Sequence, residues 1–484
     1  MNVTEKKSNQ CKINLYGYLR IHAEERPSAP FLISDGETVN YGRALGIVRS
    51  VATDLISAGV RKGDKVAFRI TRCADSVLIS LALCAVGAVL VMCDAHFCVR
   101  DYIEKSGVDI IPDWYLTNEK NGLSIDLGGN WTLEGKDGAS RLLNIYKNNN
   151  NFAILPDLSP DDPFMIIFTS GSTGASKAVV LSHKNVVANP VDAMPLFEEN
   201  EKDTAVSLLP LNHAFGFAVA ACAVFCGHGV VFPSSTDTKT VLSCIEKYGV
   251  SCIYSVPTFF LDLLADGLHK KYNISSLRLG LMAGGPFTEG QMRFIEGELG
   301  LKLMPGYGMS ECVGISTMSY RDPVGLRAAG VGRPYPMTDV YILDDNGNET
   351  ETGEICVRGM TRMLGYYTGG KISVELDEQG RLHTGDLGYF DKDGILHING
   401  RKKDIIIRGG ENISTIKIEN ALLEVGGVYR AAAVGVPDEK FGEVPCAAVV
   451  PARGAILTDE GIRAELSELV SKHEMPVKIL ILET

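Results

Sequence analysis

Apolar and polar positions along the first quarter of the chain follow two patterns, one with the spacing of helices and one of short strands. The predicted elements are Leu15 to Glu25 (helix), Ala44 to Ala58 (helix), Lys65 to Arg69 (strand), a buried helix from about Ser76, and Ala88 to Met92 (strand). Such alternation is typical of an open α/β sheet. The apolar stretch Val77 to Met92 is too short for a membrane span and is divided by Gly87, so a buried helix followed by a strand is predicted there.

The later pattern changes twice. Between Asp113 and Pro160 it weakens and includes the four asparagines Asn148 to Asn151, which predicts a surface loop. From Thr338 onward, short strand-like segments separated by Asp/Asn/Gly turns predict a β-rich subdomain. Residues 415–484 have a separate βα pattern, which indicates a small second domain.

The expected fold class is therefore α/β. We expect a large N-terminal domain of layered sheets and helices over residues 1–400, which includes the β-rich subdomain. A small α+β lid domain is expected over residues 401–484. The length of 484 residues agrees with two or more domains, because it exceeds a single ordinary core.

Composition narrows the function without choosing one. The apolar fraction of 45% and charged fraction of 22% are those of a globular protein, and no signal peptide is recognisable at the N-terminus. The formal net charge of −12 argues against nucleic acid or an acidic membrane as the main partner, although one basic site suffices for ATP. The 12 cysteines include no Cys-x-x-Cys pair, so we expect reduced core cysteines and a cytoplasmic protein.

The most informative stretch is a buried strand, Phe164 to Phe168, followed by a loop of hydroxyls and glycines. The loop and the lysine after it are Thr169, Ser170, Gly171, Ser172, Thr173, Gly174 and Lys177. Glycines allow successive backbone N–H groups to converge on an anion, with hydroxyls and an ammonium to assist, which predicts a polyphosphate site. It is not a Walker loop, because Lys177 opens a second apolar strand and the next helix begins only after Ser182.

Three later stretches are typical of pocket walls at strand ends. His213 lies in Leu-Pro-Leu-Asn-His-Ala-Phe-Gly, and on its own would more often be a packing histidine than a ligand contact. Gly284-Gly285-Pro286 ends a predicted strand, at the kind of carboxyl end where α/β sheets hold ligands. In the stretch Pro305 to Glu311, an aromatic between glycines is suited to stack on a base and a carboxylate to bind Mg²⁺.

Taken together, these stretches resemble the adenylate-forming superfamily of acyl-CoA synthetases, peptide-synthetase adenylation domains and luciferases. The resemblance covers nearly the whole chain, and the branch it most resembles is the acyl- and aryl-CoA ligases. It implies the acyl-CoA synthetase fold, the cofactors ATP, Mg²⁺ and coenzyme A, and a small-molecule carboxylic acid as substrate.

The resemblance also implies roles for individual residues. The family's phosphate loop matches Thr169 to Gly174 and Lys177, with Ala178 where a glycine is usual. The other matches are His213 (pocket wall), Gly284, Gly285, Pro286, Gly306, Tyr307 and Gly308 (adenine), Glu311 beside Ser310 (Mg²⁺), Asp386 and Arg401 (ribose), Lys403 (hinge), and Gly409 and Gly410 (coenzyme A channel). The residues expected to carry catalysis are Lys177, His213, Glu311 and Lys403.

Three functions remain as alternatives: an acid–coenzyme A ligase, which the resemblance favours, an adenylating enzyme that loads a carrier protein, and a non-catalytic nucleotide- or acyl-binding relative. The segment His213 to Phe217 lacks the aspartate that amino-acid loaders place there. A fatty or aromatic acid is expected from apolar candidates that are equally compatible with core positions: Phe215, Phe217, Ala218, Val256, Phe259, Met282 and Met304.

Relatives usually end with a Gly-Lys segment whose lysine bridges ATP and substrate oxygens during adenylation. The sequence stops at Thr484, so no residue can be assigned that role, and the expected small domain is without its final segment. Lys472 and Lys478 lie too early. The oligomeric state cannot be predicted.

Overall fold

The computed structural model describes residues 9–34, 36–118, 130–144, 146, 151–169 and 176–482. Its helices are α1 (Leu15–Glu25), α2 (Tyr41–Ala58), α3 (Ala74–Val86), α4 (Val99–Ser106), α5 (His183–Phe197), α6 (Ala214–Cys226), α7 (Thr238–Tyr248), α8 (Pro257–Ala265), a 3₁₀ helix (Leu268–Lys271), α9 (Glu289–Leu299), α10 (Val324–Arg327), α11 (Thr415–Glu424) and α12 (Asp459–Leu466). None of the helices in these ranges is long and apolar enough to cross a membrane.

The strands fall into two groups along the chain. The first group is β1 (Pro30–Ser34), β2 (Glu37–Asn40), β3 (Lys65–Ile70), β4 (Val89–Asp94), β5 (Trp114–Asn118), β6 (Asn130–Gly135), β7 (Ser140–Asn144), β8 (Pro163–Thr169), β9 (Lys177–Ser182), β10 (Thr204–Val206), β11 (Gly229–Phe232), β12 (Cys252–Ser255), β13 (Leu279–Ala283), β14 (Lys302–Met309), β15 (Cys312–Thr317) and β16 (Arg333–Pro334). The second group is β17 (Thr338–Leu343), β18 (Thr352–Gly359), β19 (Gly365–Thr368), β20 (Lys371–Ser373), β21 (Leu382–Phe390), β22 (Leu396–Arg401), β23 (Ile406–Arg408), β24 (Glu411–Ile413), β25 (Val428–Asp438), β26 (Gly442–Pro451) and β27 (Lys478–Ile481).

Two nine-stranded sheets form the larger part of the molecule. The first has the order β16-β15-β14-β13-β12-β10-β11-β1-β2. Along this order, each neighbouring pair from β14 to β1 is parallel. The second has the order β20-β19-β9-β8-β4-β3-β5-β6-β7, with parallel pairing only among β8, β4, β3 and β5. Parallel strands place their carboxyl ends at one edge of a sheet, which is where ligands bind in such folds.

The largest buried apolar cluster joins the two sheets through the helices between them. Leu90 of β4 and Val230 of β11 belong to it, together with Val187 of α5 and Ala223 of α6, and each of these four side chains is fully buried. Helix α3 is apolar on all sides, and every one of its residues is buried. A helix without a polar face has to lie inside the protein, so this element sets the layered arrangement.

Two smaller sheets complete the fold. The third sheet, β17-β18-β21-β22, is antiparallel throughout and corresponds to the predicted β-rich segment. The fourth contains only strands that follow Arg401, in the order β24-β23-β26-β25, with β27 parallel to β26. One of its faces packs against α11 and α12, where Leu422 and Leu466 lie against Val449.

The prediction of a surface loop between Asp113 and Pro160 is wrong for the strands β5, β6 and β7. These strands form an antiparallel meander at the edge of the second sheet. Trp131 and Leu133 lie on the inner face of β6 and are almost fully buried. Their alternation with Thr132 and Glu134 is the period-2 pattern of a half-buried strand and stabilises the meander. This pattern was missed because it spans only a few residues in a mostly polar region. Asn148 to Asn150 lie outside the described residues.

Candidate active site

The carboxyl ends of β12, β13 and β14 meet at one edge of the first sheet. β12 leads through Val256 into helix α8, which begins with Pro257, and β13 leads into the turn at Gly284. Gly284 has φ +79°, a left-handed conformation that favours glycine, and its backbone lies next to the Val256 side chain. The predicted glycine turn therefore lies at a strand end, in the position expected for a ligand loop.

A cavity of about 1260 Å³ opens at this edge and is bounded on its other side by the fourth sheet and its helices. The walls from the larger part of the molecule include Gly284, Gly285, Pro286, Gly306, Tyr307, Gly308, Asp386, Arg401 and Lys402. The walls from the smaller part include Asn412, Ser414, Lys417, Asn420 and Glu474. Of the predicted site residues, those matched to adenine and ribose are therefore brought together.

Tyr307, Asp386 and Arg401 form a connected polar group in the cavity wall. The Tyr307 hydroxyl donates to Asp386 Oδ2 over 2.6 Å, and Arg401 Nε lies 3.0 Å from Asp386 Oδ1. Asp386 and Arg401 face each other in the register of β21 and β22, which explains how residues 15 apart meet. Burial, and then the charge of Asp386, raise the pKa of Tyr307 well above its ordinary value, so its hydroxyl stays protonated and donates.

Gly306 and Gly308 flank Tyr307 on β14. A Cβ at Gly308 would lie 2.8 Å from the carbonyl oxygen of Val313, a backbone atom of the neighbouring strand. A side chain at Gly308 is therefore excluded by the hairpin itself. The close approach of two strands is a structural reason for this glycine, in addition to the predicted role beside adenine.

A second polar group contains Lys177, Tyr366 and Glu311. The Tyr366 hydroxyl donates to Glu311 Oε1 over 2.8 Å, and Lys177 Nζ lies 4.3 Å from the centre of the Tyr366 ring. Lys177 Nζ also lies 3.4 Å from Glu375 Oε2, in a pair whose side chains are both more than half exposed. The predicted phosphate lysine and the predicted magnesium carboxylate therefore share one tyrosine.

Glu311 fits the role of a magnesium ligand. Its side chain is 8% exposed, and a carboxylate is the oxygen ligand that a hard cation prefers. No group of three or more His, Cys, Asp or Glu residues suited to a metal occurs in the part of the chain that the structure describes. Mg²⁺ at nucleotide sites is usually bound by one or two carboxylates together with phosphate oxygens and water, so a single protein carboxylate is sufficient.

The phosphate loop is described only at its two ends. Thr169 and Lys177 face each other in the register of β8 and β9, the strands predicted on either side of the loop, and the two strands pair antiparallel. Ser170, Gly171, Ser172, Thr173 and Gly174 lie outside the described residues. The predicted cap of the next helix is present, since Ser182 and Asn185 form a reciprocal capping box at the start of α5.

His213 lies apart from both groups. It is an exposed residue at the N-terminal cap of α6, and its neighbour Asn212 donates to Asp94 Oδ2 over 3.3 Å. Lys177, Glu311 and His213 are absent from the described residues that line the cavity. Ser310 lies in the turn between β14 and β15, immediately before Glu311.

Lys403 and the second glycine turn lie where the third sheet passes into the fourth. Lys403 is exposed in a turn closed by a hydrogen bond from the Asp404 N–H to the Arg401 carbonyl, 2.9 Å. Gly409 and Gly410 join β23 to β24 with φ of +60° and +90°, which explains the need for glycine. The Gly409 N–H donates to the Phe441 carbonyl over 2.7 Å.

Tyr366 was not predicted from the sequence. It is one of 17 tyrosines, and nothing in the local pattern separates it from Tyr367. The antiparallel pairing of β19 with β9 places it opposite Val179 and so diagonal to Lys177. That pairing joins residues almost two hundred positions apart, and no signal in the chain predicts it.

The chain matches the AMP-binding enzyme family over residues 19–367 and that family's C-terminal domain over residues 417–484. Feruloyl-CoA synthase from Amycolatopsis sp is 30% identical over 467 residues, which cover 94% of this chain and 92% of that protein. 2-Succinylbenzoate–CoA ligase from Oceanobacillus iheyensis is 28% identical over 449 residues, covering 92% and 90%.

Among solved structures, o-succinylbenzoate CoA synthetase from Bacillus subtilis, in complex with its acyl-adenylate intermediate, is 26% identical with a TM-score of 0.80. The match covers 96% of this chain and 94% of that one. The layered α/β fold class predicted from the sequence is confirmed by this similarity. The family predicted from the motifs is confirmed as well: the chain belongs to the AMP-binding enzymes.

Proposed function

We propose that this protein activates a carboxylic acid with ATP, forming an acyl-adenylate and pyrophosphate, and then transfers the acyl group to the thiol of coenzyme A as AMP leaves. The predicted class, an AMP-forming acid–thiol ligase that uses ATP, Mg²⁺ and coenzyme A, agrees with the family and with the CoA ligases among its relatives. The observation that carries the proposal is the meeting of Tyr307, Asp386 and Arg401 in one cavity with the glycine turn at Gly284.

The nucleoside part of ATP fits the first polar group. The buried carboxylate of Asp386 is an acceptor suited to ribose hydroxyls, and its contact with Arg401 fixes its position. Tyr307 combines an aromatic face with a hydroxyl fixed by Asp386, so its ring is held rigidly beside the glycine turn. The backbone of Gly284 and Gly285 provides a wall without side chains, against which a purine can lie.

The phosphate part fits the second polar group. Glu311 would hold Mg²⁺, which supplies stabilisation of negative charge on the phosphate oxygens when it is bound. Lys177 is half exposed and its ion pair with Glu375 lies at the surface, so its ammonium can exchange Glu375 for a polyphosphate. The protein then contributes position and electrostatic stabilisation, which are the main requirements of an attack by a carboxylate on the α-phosphorus.

Coenzyme A is the acceptor that the second glycine turn favours. Phe441 is 36% exposed beside Gly409, and two cations, Arg408 and Lys440, lie 5.2 and 5.1 Å from the centre of its ring. An exposed aromatic flanked by cations is suited to an adenine with its phosphates. A carrier protein would instead need a broad complementary surface.

We propose an aromatic acid as the substrate class and a fatty acid as the alternative. Ferulate and 2-succinylbenzoate, the acids in the names of the two relatives, are aromatic. Among the apolar candidates, Phe217, Met282 and Met304 are fully enclosed in the core and cannot line a slot. Phe215, Ala218, Val256 and Phe259 are partly exposed and are the remaining candidates for the wall of the acyl pocket.

Two further assignments remain proposals. We place the boundary of the two domains at residues 400 and 401, at the end of β22 in the third sheet, with Lys403 as the hinge. We also propose a cytoplasmic location, because all 12 cysteines are free, as in a reducing compartment.

The test is release of AMP from ATP with a panel of hydroxycinnamates, benzoates and straight-chain fatty acids, with and without coenzyme A. The proposal predicts AMP release that requires both an acid and coenzyme A, fastest with an aromatic acid. Adenylation that does not respond to coenzyme A but transfers to a phosphopantetheine carrier would favour the carrier-loading alternative. Binding of nucleotide without turnover of any acid would contradict both.

A further inference from the structure

Tyr366 lies between Lys177 and Glu311, the two charged residues of the second polar group. Strand β19 pairs antiparallel with β9, with Gly365 opposite Val180 and Tyr366 opposite Val179. Lys177 lies two residues before Val179 on β9, so it is on the same face as Tyr366 and diagonal to it. The sheet register therefore fixes the tyrosine ring beside the lysine.

The chain that leads into β19 also anchors the backbone of Glu311. The Met363 N–H donates to the Glu311 carbonyl over 2.7 Å, and the Leu364 N–H donates to the Val180 carbonyl over 2.9 Å. The segment from Met363 to Tyr366 is therefore hydrogen-bonded to Glu311 at one end and to β9 at the other. A short rigid segment of this kind can hold two distant residues in a fixed relation.

The ring and the hydroxyl of Tyr366 contact different charges. The ring lies under the Lys177 ammonium at 4.3 Å, and the hydroxyl donates to Glu311 Oε1 at 2.8 Å. A carboxylate oxygen can only accept, so the phenol hydroxyl is the donor of this hydrogen bond. With Oε1 occupied, the carboxylate is oriented and its other oxygen is left for a cation.

Lys177 keeps its freedom to move. Its ion pair with Glu375 is long, at 3.4 Å, and both side chains are more than half exposed, so the pair is weak. A polyphosphate carries far more charge than one carboxylate and would replace Glu375. The ring contact does not compete for the ammonium protons and can persist during that exchange.

We propose that Tyr366 is a positioning residue of the nucleotide site, which aligns Lys177 through its ring and Glu311 through its hydroxyl. This inference rests on the proposed function, because ATP and Mg²⁺ are the ligands that the two charges serve. It adds a residue to the site that links the lysine to the carboxylate.

The test measures binding of ATP by calorimetry as a function of Mg²⁺ concentration, in the full chain and its variants. Tyr366→Phe retains the ring and loses the hydroxyl. Loss of a partner that orients a metal ligand typically weakens the metal site by about 10-fold or more, so the Mg²⁺ concentration for half-maximal binding should rise by about 10-fold. Affinity for ATP at saturating Mg²⁺ should change by less than about twofold, because the contact between ring and lysine remains.

Three comparisons separate positioning from a general effect on folding. Tyr366→Leu should show the same rise in Mg²⁺ requirement and, in addition, a several-fold loss of ATP affinity at saturating Mg²⁺. Tyr367→Phe, the matched control one residue away, should behave as the parent. In a Glu311→Gln background, Tyr366→Phe should have no further effect, because the hydroxyl acts only through that carboxylate.

An unchanged Mg²⁺ requirement in Tyr366→Phe, with parental ATP binding, would overturn the inference while leaving the proposed function intact. An additive effect in the Glu311→Gln background would overturn it too. A parent protein that fails to bind ATP at any Mg²⁺ concentration would contradict the proposed function itself.

Discussion

The two ends of the parallel strands in the first sheet carry polar clusters with opposite environments. At the carboxyl ends, Tyr307, Asp386 and Arg401 line a cavity, and the Arg401 side chain is 50% exposed. At the amino ends, charged residues immediately precede the strands and are more buried, with 26% of the Arg278 side chain and 5% of the Asp203 side chain exposed. Asp203 lies before β10 and Arg278 before β13.

The amino-end cluster satisfies its charges internally. Arg278 binds Asp203 through two nitrogens, at 2.7 and 2.5 Å, and Ser251 Oγ donates to Asp203 Oδ1 over 2.8 Å. Glu199 and His228 have fully buried side chains 2.6 Å apart, and the Tyr254 hydroxyl donates to Glu199. Every strong charge has a partner of opposite sign, so this cluster supports the sheet and has no charge available for a ligand.

The difference shows that residue type does not identify a site. Both clusters combine tyrosine, carboxylate and arginine, yet the one at the carboxyl ends lines the cavity, whereas the amino-end residues are absent from the described wall of that cavity. Position relative to the strand direction, and access to the cavity, separate a ligand site from a structural network. The predictions below test that separation.

The largest expected effect is on stability, at the amino ends. Arg278→Ala should lower the free energy of unfolding by about 3–5 kcal/mol, because it leaves the 5%-exposed side chain of Asp203 without its cation. The melting temperature measures this effect. The matched control is Arg293→Ala, which removes a similar contact to Glu289 on the surface and should cost less than about 1 kcal/mol.

The effect of Arg278→Ala has a pH dependence with a defined sign. Burial acts to raise the pKa of Asp203, but hydrogen bonds, chiefly from Arg278, outweigh it and lower the pKa below its ordinary value. A carboxyl group whose pKa is lower in the folded protein than in the unfolded protein stabilises the fold at pH values above its unfolded-state pKa. This stabilisation is lost as the pH falls through its folded-state pKa. The difference between parent and variant should therefore narrow below about pH 4, and a difference that widens there would contradict the pairing.

The second effect is on chemistry, at Lys177, the residue at which β9 of the second sheet begins. Lys177→Ala should slow ATP–pyrophosphate exchange by about 10²-fold or more, since it removes charge stabilisation at the leaving pyrophosphate. Lys270→Ala, which removes an exposed lysine paired with Glu298, is the control and should match the parent. Parental exchange in Lys177→Ala would contradict the assignment of the phosphate site.

A smaller, selective effect is expected at the hinge. Lys403→Pro fixes the φ angle of residue 403 and restricts the backbone conformation of Lys402. It should therefore reduce thioester formation from supplied acyl-adenylate by several-fold, while adenylation persists. Lys403→Ala keeps the backbone free and should retain both half-reactions. If Lys403→Pro lowers the rates of adenylation and thioester formation equally, the variant is misfolded or the hinge lies elsewhere.

The local elements were largely predictable from the chain. Helix α1 has the predicted ends, since Asn14 caps it through the Gly17 N–H. The sequence predicted the capping role of Ser182 for the same reason, because a capping side chain and the backbone N–H that it accepts from lie within a few residues of each other. The meander β5–β7 was missed because its alternation of apolar and polar residues spans only a few positions in each strand.

The site was predictable only in part. The motifs predicted residues such as Tyr307 and Asp386, and the structure adds that they contact each other across 79 positions. Tyr366 and the amino-end cluster could not be predicted, because each depends on pairing between segments far apart in the chain. Burial of Phe217 and Met304 likewise depends on the layers around them.

The central claim is that the carboxyl-end cluster binds ATP and the amino-end cluster only supports the fold. Calorimetric titration of ATP with Mg²⁺ into Asp386→Ala and Arg278→Ala, well below their melting temperatures, tests it most directly. We predict that Asp386→Ala weakens ATP binding by about 10-fold or more, since a charge-assisted hydrogen bond contributes about 1–3 kcal/mol, and that Arg278→Ala binds ATP as the parent does. Parental affinity in Asp386→Ala, or a comparable loss in Arg278→Ala, would contradict the account.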